Sequence, residues 1–265
     1  MSKLLVQQQF GANAAAYATS VPHAKGASLA RLVELVAPQP TWATLDIATG
    51  AGHAAAAFAP HVASVVASDV TPEMLAEAAK LAAARDLANM TTAPADAEAL
   101  PFPDAAFDLV TCRIAPHHFQ DVPRFVSEVA RVLRPDGTFA LVDNVSPDVL
   151  TTPGFPRAAL KDAAITYNTF EKLRDPSHVR ALTLAEWLEL IDDAGFAVRH
   201  REILPKAMSF PDWLGRMGVA AETVTRLEEI VREASPALAA YLRPETRDGA
   251  LWFTLDEALI VAVKT

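Results

Sequence analysis

Along the first half of the chain, short apolar runs alternate with stretches whose apolar residues recur every three or four positions. Leu29, Leu32, Val33 and Val36 fall on one helix face, which Pro38 and Pro40 end. Residues 44–48 read as a short buried strand, followed by a glycine turn and an alanine-rich helix over 53–59. A second apolar strand, 63–68, closes on Asp69; Thr71 is then placed to cap a helix that begins at Pro72 and runs to about Arg85. Strands at 90–93 and 107–112, a helix with Phe125, Val129 and Val132 on one face, and a fifth strand at 139–142 follow. Arg134-Pro135-Asp136-Gly137 reads as the turn before that last strand.

After Asp143 the alternation lapses. Residues 144–182 read as loop and helix, and residues 205–249 as helices punctuated by Pro211, Pro236 and Pro244. Both are expected to be insertions at strand ends, where lids and substrate loops form. Between them, Thr183-Leu184-Ala185-Glu186 is a capping box leading a helix with Leu184, Trp187, Leu188 and Ile191 on one stripe, stopped by Gly195. Strands at 196–203 and 258–263 complete the pattern. The expected fold is therefore α/β, a seven-stranded, mostly parallel sheet with helices on both faces and two helical lid insertions. It is read as one domain over residues 1–265, with 1–40 as an N-terminal arm and helix.

Composition narrows the function classes. The 265 residues suffice for one large α/β domain, and 51% hydrophobic with 21% charged residues suits a chain with a substantial core. A net charge of -9 repels polyanions on average, which weighs against a nucleic-acid partner. No secretory signal or run of membrane-spanning length is present, so a cytoplasmic location is expected. A lone Cys112 excludes an internal disulfide and a cysteine-rich zinc site, and no histidine–carboxylate cluster has metal-ligand spacing.

In an open parallel sheet, ligands bind beyond the C-terminal strand ends. At the first such end, Gly50 and Gly52 let backbone approach a ligand closely, and the following helix offers free N–H groups. With Ala55, these glycines also match the dinucleotide fingerprint, so a dinucleotide-dependent oxidoreductase fits this turn too. Asp46 separates the readings, because its carboxylate repels a pyrophosphate but attracts the ammonium of an amino acid such as methionine. Asp69, 23 residues on, can accept hydrogen bonds from ribose hydroxyls, and Asp96, within 96–102, from an adenine amino group. The loop from Arg113 to His118 then faces the reacting end. There His117 and His118 are candidate bases, at most one of which points into the site.

Residues 45–52, Asp69-Val70-Thr71-Pro72-Glu73-Met74, residues 96–102 and Arg131-Val132-Leu133-Arg134-Pro135-Asp136-Gly137 resemble, in order, the motifs of class I S-adenosylmethionine (SAM) methyltransferases. The ubiquinone/menaquinone-biosynthesis (UbiE-like) branch is the most similar. The resemblance spans residues 10–145 and implies a Rossmann-like seven-stranded sheet, SAM as cofactor with S-adenosylhomocysteine (SAH) as product, and a small-molecule acceptor methylated at carbon or oxygen. It implies methionine held by the Asp46–Gly52 loop, ribose by Asp69 beside Val70, and Met74 next to adenine with Asp96 and Ala97 at its edge. Arg113 and His118 would face the methionine part. Ala48 replaces the family's first glycine, for which a slightly tighter loop is expected. Residues 10–26 resemble an arm that closes over the cofactor, with Tyr17 and His23 as contacts. A SAM-binding regulatory protein without turnover would share these motifs.

Overall fold

The computed structural model describes residues 3–11, 14, 27–215 and 219–265; Tyr17 and His23 lie outside the described residues. In chain order the elements are α1 (Lys3–Gly11), α2 (Ala27–Val36), β1 (Ala43–Ile47), α3 (His53–Phe58), β2 (Ser64–Asp69), α4 (Pro72–Ala84), β3 (Met90–Pro94), β4 (Phe107–Arg113), α5 (Val122–Val132) and β5 (Leu133–Asn144). There follow α6 (Arg157–Arg174), α7 (Leu184–Asp193), β6 (Phe196–Ser209), α8 (Phe210–Gly215), α9 (Ala221–Arg232), α10 (Pro236–Leu242), β7 (Glu245–Arg247) and β8 (Ala250–Lys264). The strands form one Rossmann-like sheet in the order β3-β2-β1-β4-β5-β8-β6, with β7 antiparallel to β8. The β1–β2, β2–β3, β1–β4 and β4–β5 pairs are all parallel. None of the described helices is long and apolar enough to cross a membrane.

The chain divides into two compact units, the first comprising Met1–Asp143, Glu189–Glu202 and Leu259–Thr265, the second Asn144–Leu188 and Ile203–Ala258. In the first, Leu109, Val110, Thr111 and Cys112 are buried in succession, the signature of a parallel strand covered on both faces. Alanines make the covering close: Ala55, Ala56, Ala59, Ala78 and Ala82 pack with Val65, Ala67 and Met90. The second unit has its own core, in which Phe170 stacks on Trp213 at 4.6 Å, Phe253 meets Trp213 edge-on at 5.1 Å, and Tyr167 meets Tyr241 at 5.3 Å. Its polar residues in the last strand are paired, Asp256 with Arg243 and Glu257 with Lys206 at 2.9 Å.

Local signals hold where the backbone alone decides them. The capping box forms both bonds, Glu186 N–H donating to Thr183 Oγ1 at 3.1 Å and Thr183 N–H to Glu186 Oε2 at 2.8 Å. Gly195 ends that helix at φ +80. Four expectations are corrected. Thr71 occupies the N-cap position of α4, but its side chain makes no capping bond. The segment 134–137 is an excursion within β5 rather than a turn before it: Leu133 pairs with Phe107 and Thr138 with Leu109, so four residues oppose one, with Asp136 at φ +60. Residues 205–209 continue β6, and 245–247 form β7, where helix was expected. The last strand begins at Ala250, eight residues before the apolar run, because the ion pairs described above allow Asp256 and Glu257 to be buried in it.

Candidate functional site

The strand order reverses between β1 and β4, since β2 lies on one side of β1 and β4 on the other. A cavity of about 140 Å³ opens at the ends of these two strands, the switch point where an α/β sheet binds ligands. Asp46 and Thr111 are register partners across β1 and β4, and Thr111 Oγ1 donates to Asp46 Oδ1 at 2.6 Å. Thr49 Oγ1 at 2.5 Å and Ala55 N–H at 3.1 Å donate to Oδ2. These three donors take three of the four sites that a carboxylate offers. Burial pushes the Asp46 carboxyl up to about 6, although the Thr111, Thr49 and Ala55 bonds and the charge of Arg113 pull it down.

The turn after β1 is left-handed at three positions, with φ +52 at Ala48, +54 at Gly50 and +86 at Gly52. Gly50 has open space where a side chain would stand, on the cavity wall. Gly52 stands behind the wall, and a Cβ there would lie 2.9 Å from Ala78 Cβ on α4. Glycine at 52 is thus required by backbone and packing together. Ala48 adopts the conformation glycine favours at an ordinary cost for alanine of about 1–2 kcal/mol. Asp69 ties this turn to the next one: Gly50 N–H donates to its Oδ2 at 2.9 Å and Thr71 N–H to its Oδ1 at 2.8 Å. Burial raises the Asp69 carboxyl above its ordinary range.

Three further segments close the cavity. Met74, buried at the start of α4, and Val70 line it, and the Val70 carbonyl accepts a 2.7 Å bond from Gln7 Nε2 of α1. Through that bond α1 presents Val6 and Phe10 to the cavity. Asp96, Ala97 and Glu98 form another wall, where Glu98 Oε1 accepts from Gln120 N–H at 2.7 Å and Asp121 N–H at 3.0 Å. Behind it, Glu128 accepts from Leu100 N–H at 2.7 Å and from both Arg131 Nε and Nη2, while Arg131 holds the Leu100 and Phe102 carbonyls.

At the end of β4, Arg113 reaches Ser28 Oγ at 3.2 Å. Ile114 follows at φ +55, a conformation a β-branched residue rarely adopts, at a cost of order 1–3 kcal/mol. Residues 116–118 form a short 3-10 turn that separates the two histidines. His118 lines the cavity, with Phe10 edge-on to it at 5.0 Å. His117 does not line it; its Nδ1 lies 2.6 Å from Asp143 Oδ1, and both residues are buried.

Of the sequence-derived candidates, Asp46, Ala48, Gly50, Asp69, Val70, Met74, Asp96, Ala97, Arg113 and His118 thus line one cavity. Gly52 and His117 support it from behind. Within the second unit, Arg174 stacks over Trp213 at 4.6 Å, Ser177 donates to Asp175, and His178 Nε2 lies 2.9 Å from Asn168 Oδ1. Val6 on the wall was not expected from the sequence, and Thr49 and Ile114 were expected there only as members of the loops 46–52 and 113–118. Val6 and Phe10 carried a signal, since four residues place them on one helix face. Thr111 and Asp143 carried none, because their roles depend on strand register.

Comparison with known proteins agrees with this geometry. A family model described as a methyltransferase domain matches residues 45–141. The uncharacterized methyltransferase YcgJ of Bacillus subtilis is 33% identical over 96% of this chain and 97% of that protein. Its crystal structure superposes with a TM-score of 0.79, covering 89% of this chain and 97% of that one. A demethylmenaquinone methyltransferase of Thermus thermophilus is 39% identical over 44% of this chain and 54% of its own length. A geranyl diphosphate C-methyltransferase of Streptomyces coelicolor, solved with SAH, shares the fold at 14% identity and TM-score 0.59, over 91% of this chain and 79% of that one.

Proposed function

Because the chain belongs to the methyltransferase family, we propose that it moves the methyl group of SAM to a carbon or oxygen of a small-molecule acceptor. The observation that carries the reading is the convergence of Asp46, Gly50 and Asp69 on one cavity, with Gly50 N–H fixed by Asp69. Asp46 keeps one acceptor site beyond its three donors among the described residues, suited to an ammonium rather than a phosphate. Asp69 is in place for ribose hydroxyls, and Met74, Asp96 and Ala97 for an adenine face and edge. Arg113 supplies a cation for the methionine carboxylate.

Bound SAM supplies an activated methyl on a sulfonium, which an acceptor displaces in line. The chain's task is then alignment and exclusion of water, and α1 contributes to both through Val6 and Phe10. His118 is the group placed to take the proton an oxygen or carbon acceptor gives up. The motif resemblance and the demethylmenaquinone methyltransferase likeness favour a ring carbon or ring oxygen as acceptor. We infer that residues 144–182 and 205–249 set acceptor choice, since the family match ends at residue 141, before either segment begins.

The test is turnover with methyl-labelled SAM against a panel of phenols, quinones and amines. His118→Gln should lower kcat by roughly 10²–10⁴-fold, the usual worth of a general base, while SAH still binds. SAM binding with no labelled product from any acceptor would instead support a regulatory protein. Unchanged turnover in His118→Gln would remove the base assignment.

A further inference from the structure

We propose that Asp143 is a positioning residue for this site: through His117 it sets how His118 is presented to the cavity. The inference rests on the reading of His118 as the proton acceptor, and it adds a residue that no motif marked. Asp143 belongs to the first unit and is the next-to-last residue of β5; it is 1% exposed and stands outside the cavity wall.

Two consecutive residues of β5 grip the loop that follows β4. The Val142 carbonyl accepts from Ile114 N–H at 2.7 Å, and Asp143 Oδ1 meets His117 Nδ1 at 2.6 Å. Ile114 sits between β4 and the histidine turn in the left-handed region that a β-branched residue avoids. A conformation of that kind persists only where its surroundings over-determine it, and these two bonds hold it from both sides. The second bond also decides a proton. An ionised carboxylate only accepts, so Asp143 keeps the hydrogen of His117 on Nδ1 and fixes the ring's orientation. The oriented ring of His117 lies 4.2 Å from that of His118, tilted by 46°, and Phe10 meets His118 edge-on at 5.0 Å. His118 is therefore braced by a ring that Asp143 holds in place, while its own side chain faces the cavity.

The test uses the full chain labelled with 15N-histidine and saturated with SAH. Long-range 1H–15N spectra of the wild type should show His117 with its proton on Nδ1. Asp143→Leu and His117→Phe remove the bond from opposite ends, the first keeping the branched shape without an acceptor and the second keeping a ring. Both should move the ring signals of His118 away from their wild-type positions, and Asp143→Leu should abolish the single His117 tautomer. With an acceptor from the labelled panel, both variants should lower kcat at least about tenfold and change KM for SAM by less than about threefold. His118 signals that stay in place in either folded variant would overturn the positioning role. The spectra are read with SAH alone, so they are independent of the proton-acceptor reading, which fails separately if His118→Gln turns over normally.

Discussion

Replacing Asp46 by asparagine should stabilise the free protein above pH 6 and weaken its hold on SAM. Asp46 is 1% exposed, and burial raises its pKa from 3.8 to about 6. For an acid with a raised folded pKa, the stabilising contribution is complete below the unfolded pKa of 3.8 and is lost as pH rises through about 6. At pH 7 the ionised carboxyl therefore costs the fold about 3 kcal/mol. Asparagine keeps the shape: its oxygen can accept from Thr49 and Ala55, and its amide can donate to Thr111 Oγ1. Urea unfolding should show the variant about 2–3 kcal/mol more stable than wild type at pH 8, and nearly equal to it at pH 3.5.

Binding should move the other way. Loss of the charge facing the ligand ammonium is worth about 2 kcal/mol, or roughly 30-fold in Kd by calorimetry. In the wild type, affinity for SAM should climb as pH approaches 6 and then level, and the variant should lack that slope. Methylthioadenosine, which has no amino-acid part, should bind both proteins alike. A variant with no pH-dependent gain in stability and an unchanged Kd for SAM would refute the reasoning.

Two further substitutions test the scaffold. Gly52→Ala combines φ +86 with a Cβ 2.9 Å from Ala78, so it should lose about 2–4 kcal/mol in chemical denaturation; a loss under about 0.5 kcal/mol would contradict the packing role. Glu128→Ala leaves Leu100 N–H without its acceptor and takes two bonds from Arg131, and it should lose about 2–3 kcal/mol at pH 7. The bond with Arg131 holds the Glu128 carboxyl below its usual range, so its contribution is present above the unfolded pKa and lost as pH falls through the lower folded one. The gap between wild type and Glu128→Ala should accordingly shrink in acid, measured by thermal unfolding across pH.

Much of the secondary structure was legible in the chain because its signals are local. Apolar runs, proline starts, glycine stops and the Thr183–Glu186 box act over four or five residues, and the structure follows them. The acidic strand ends Asp46 and Asp69 could be found because a parallel sheet exposes those ends to ligands whatever the loops do. Legibility failed where partners distant in sequence decide. The apolar run marked the last strand only from residue 258, and Asp256 and Glu257 enter its middle because Arg243 and Lys206 pair with them. Residues 134–137 carry every mark of a turn, and pairing on both sides absorbs them into a strand.

The sequence by itself determined the alternation of strands and helices, the glycine turn and the family to which they belong, since each is written in contiguous residues. Only the tertiary structure decided which of two adjacent histidines reaches the cavity, that Thr111 completes the shell of Asp46, and that Asp143 stands behind His117. Those pairings join residues 26 to 65 positions apart through strand register, a quantity no local pattern encodes.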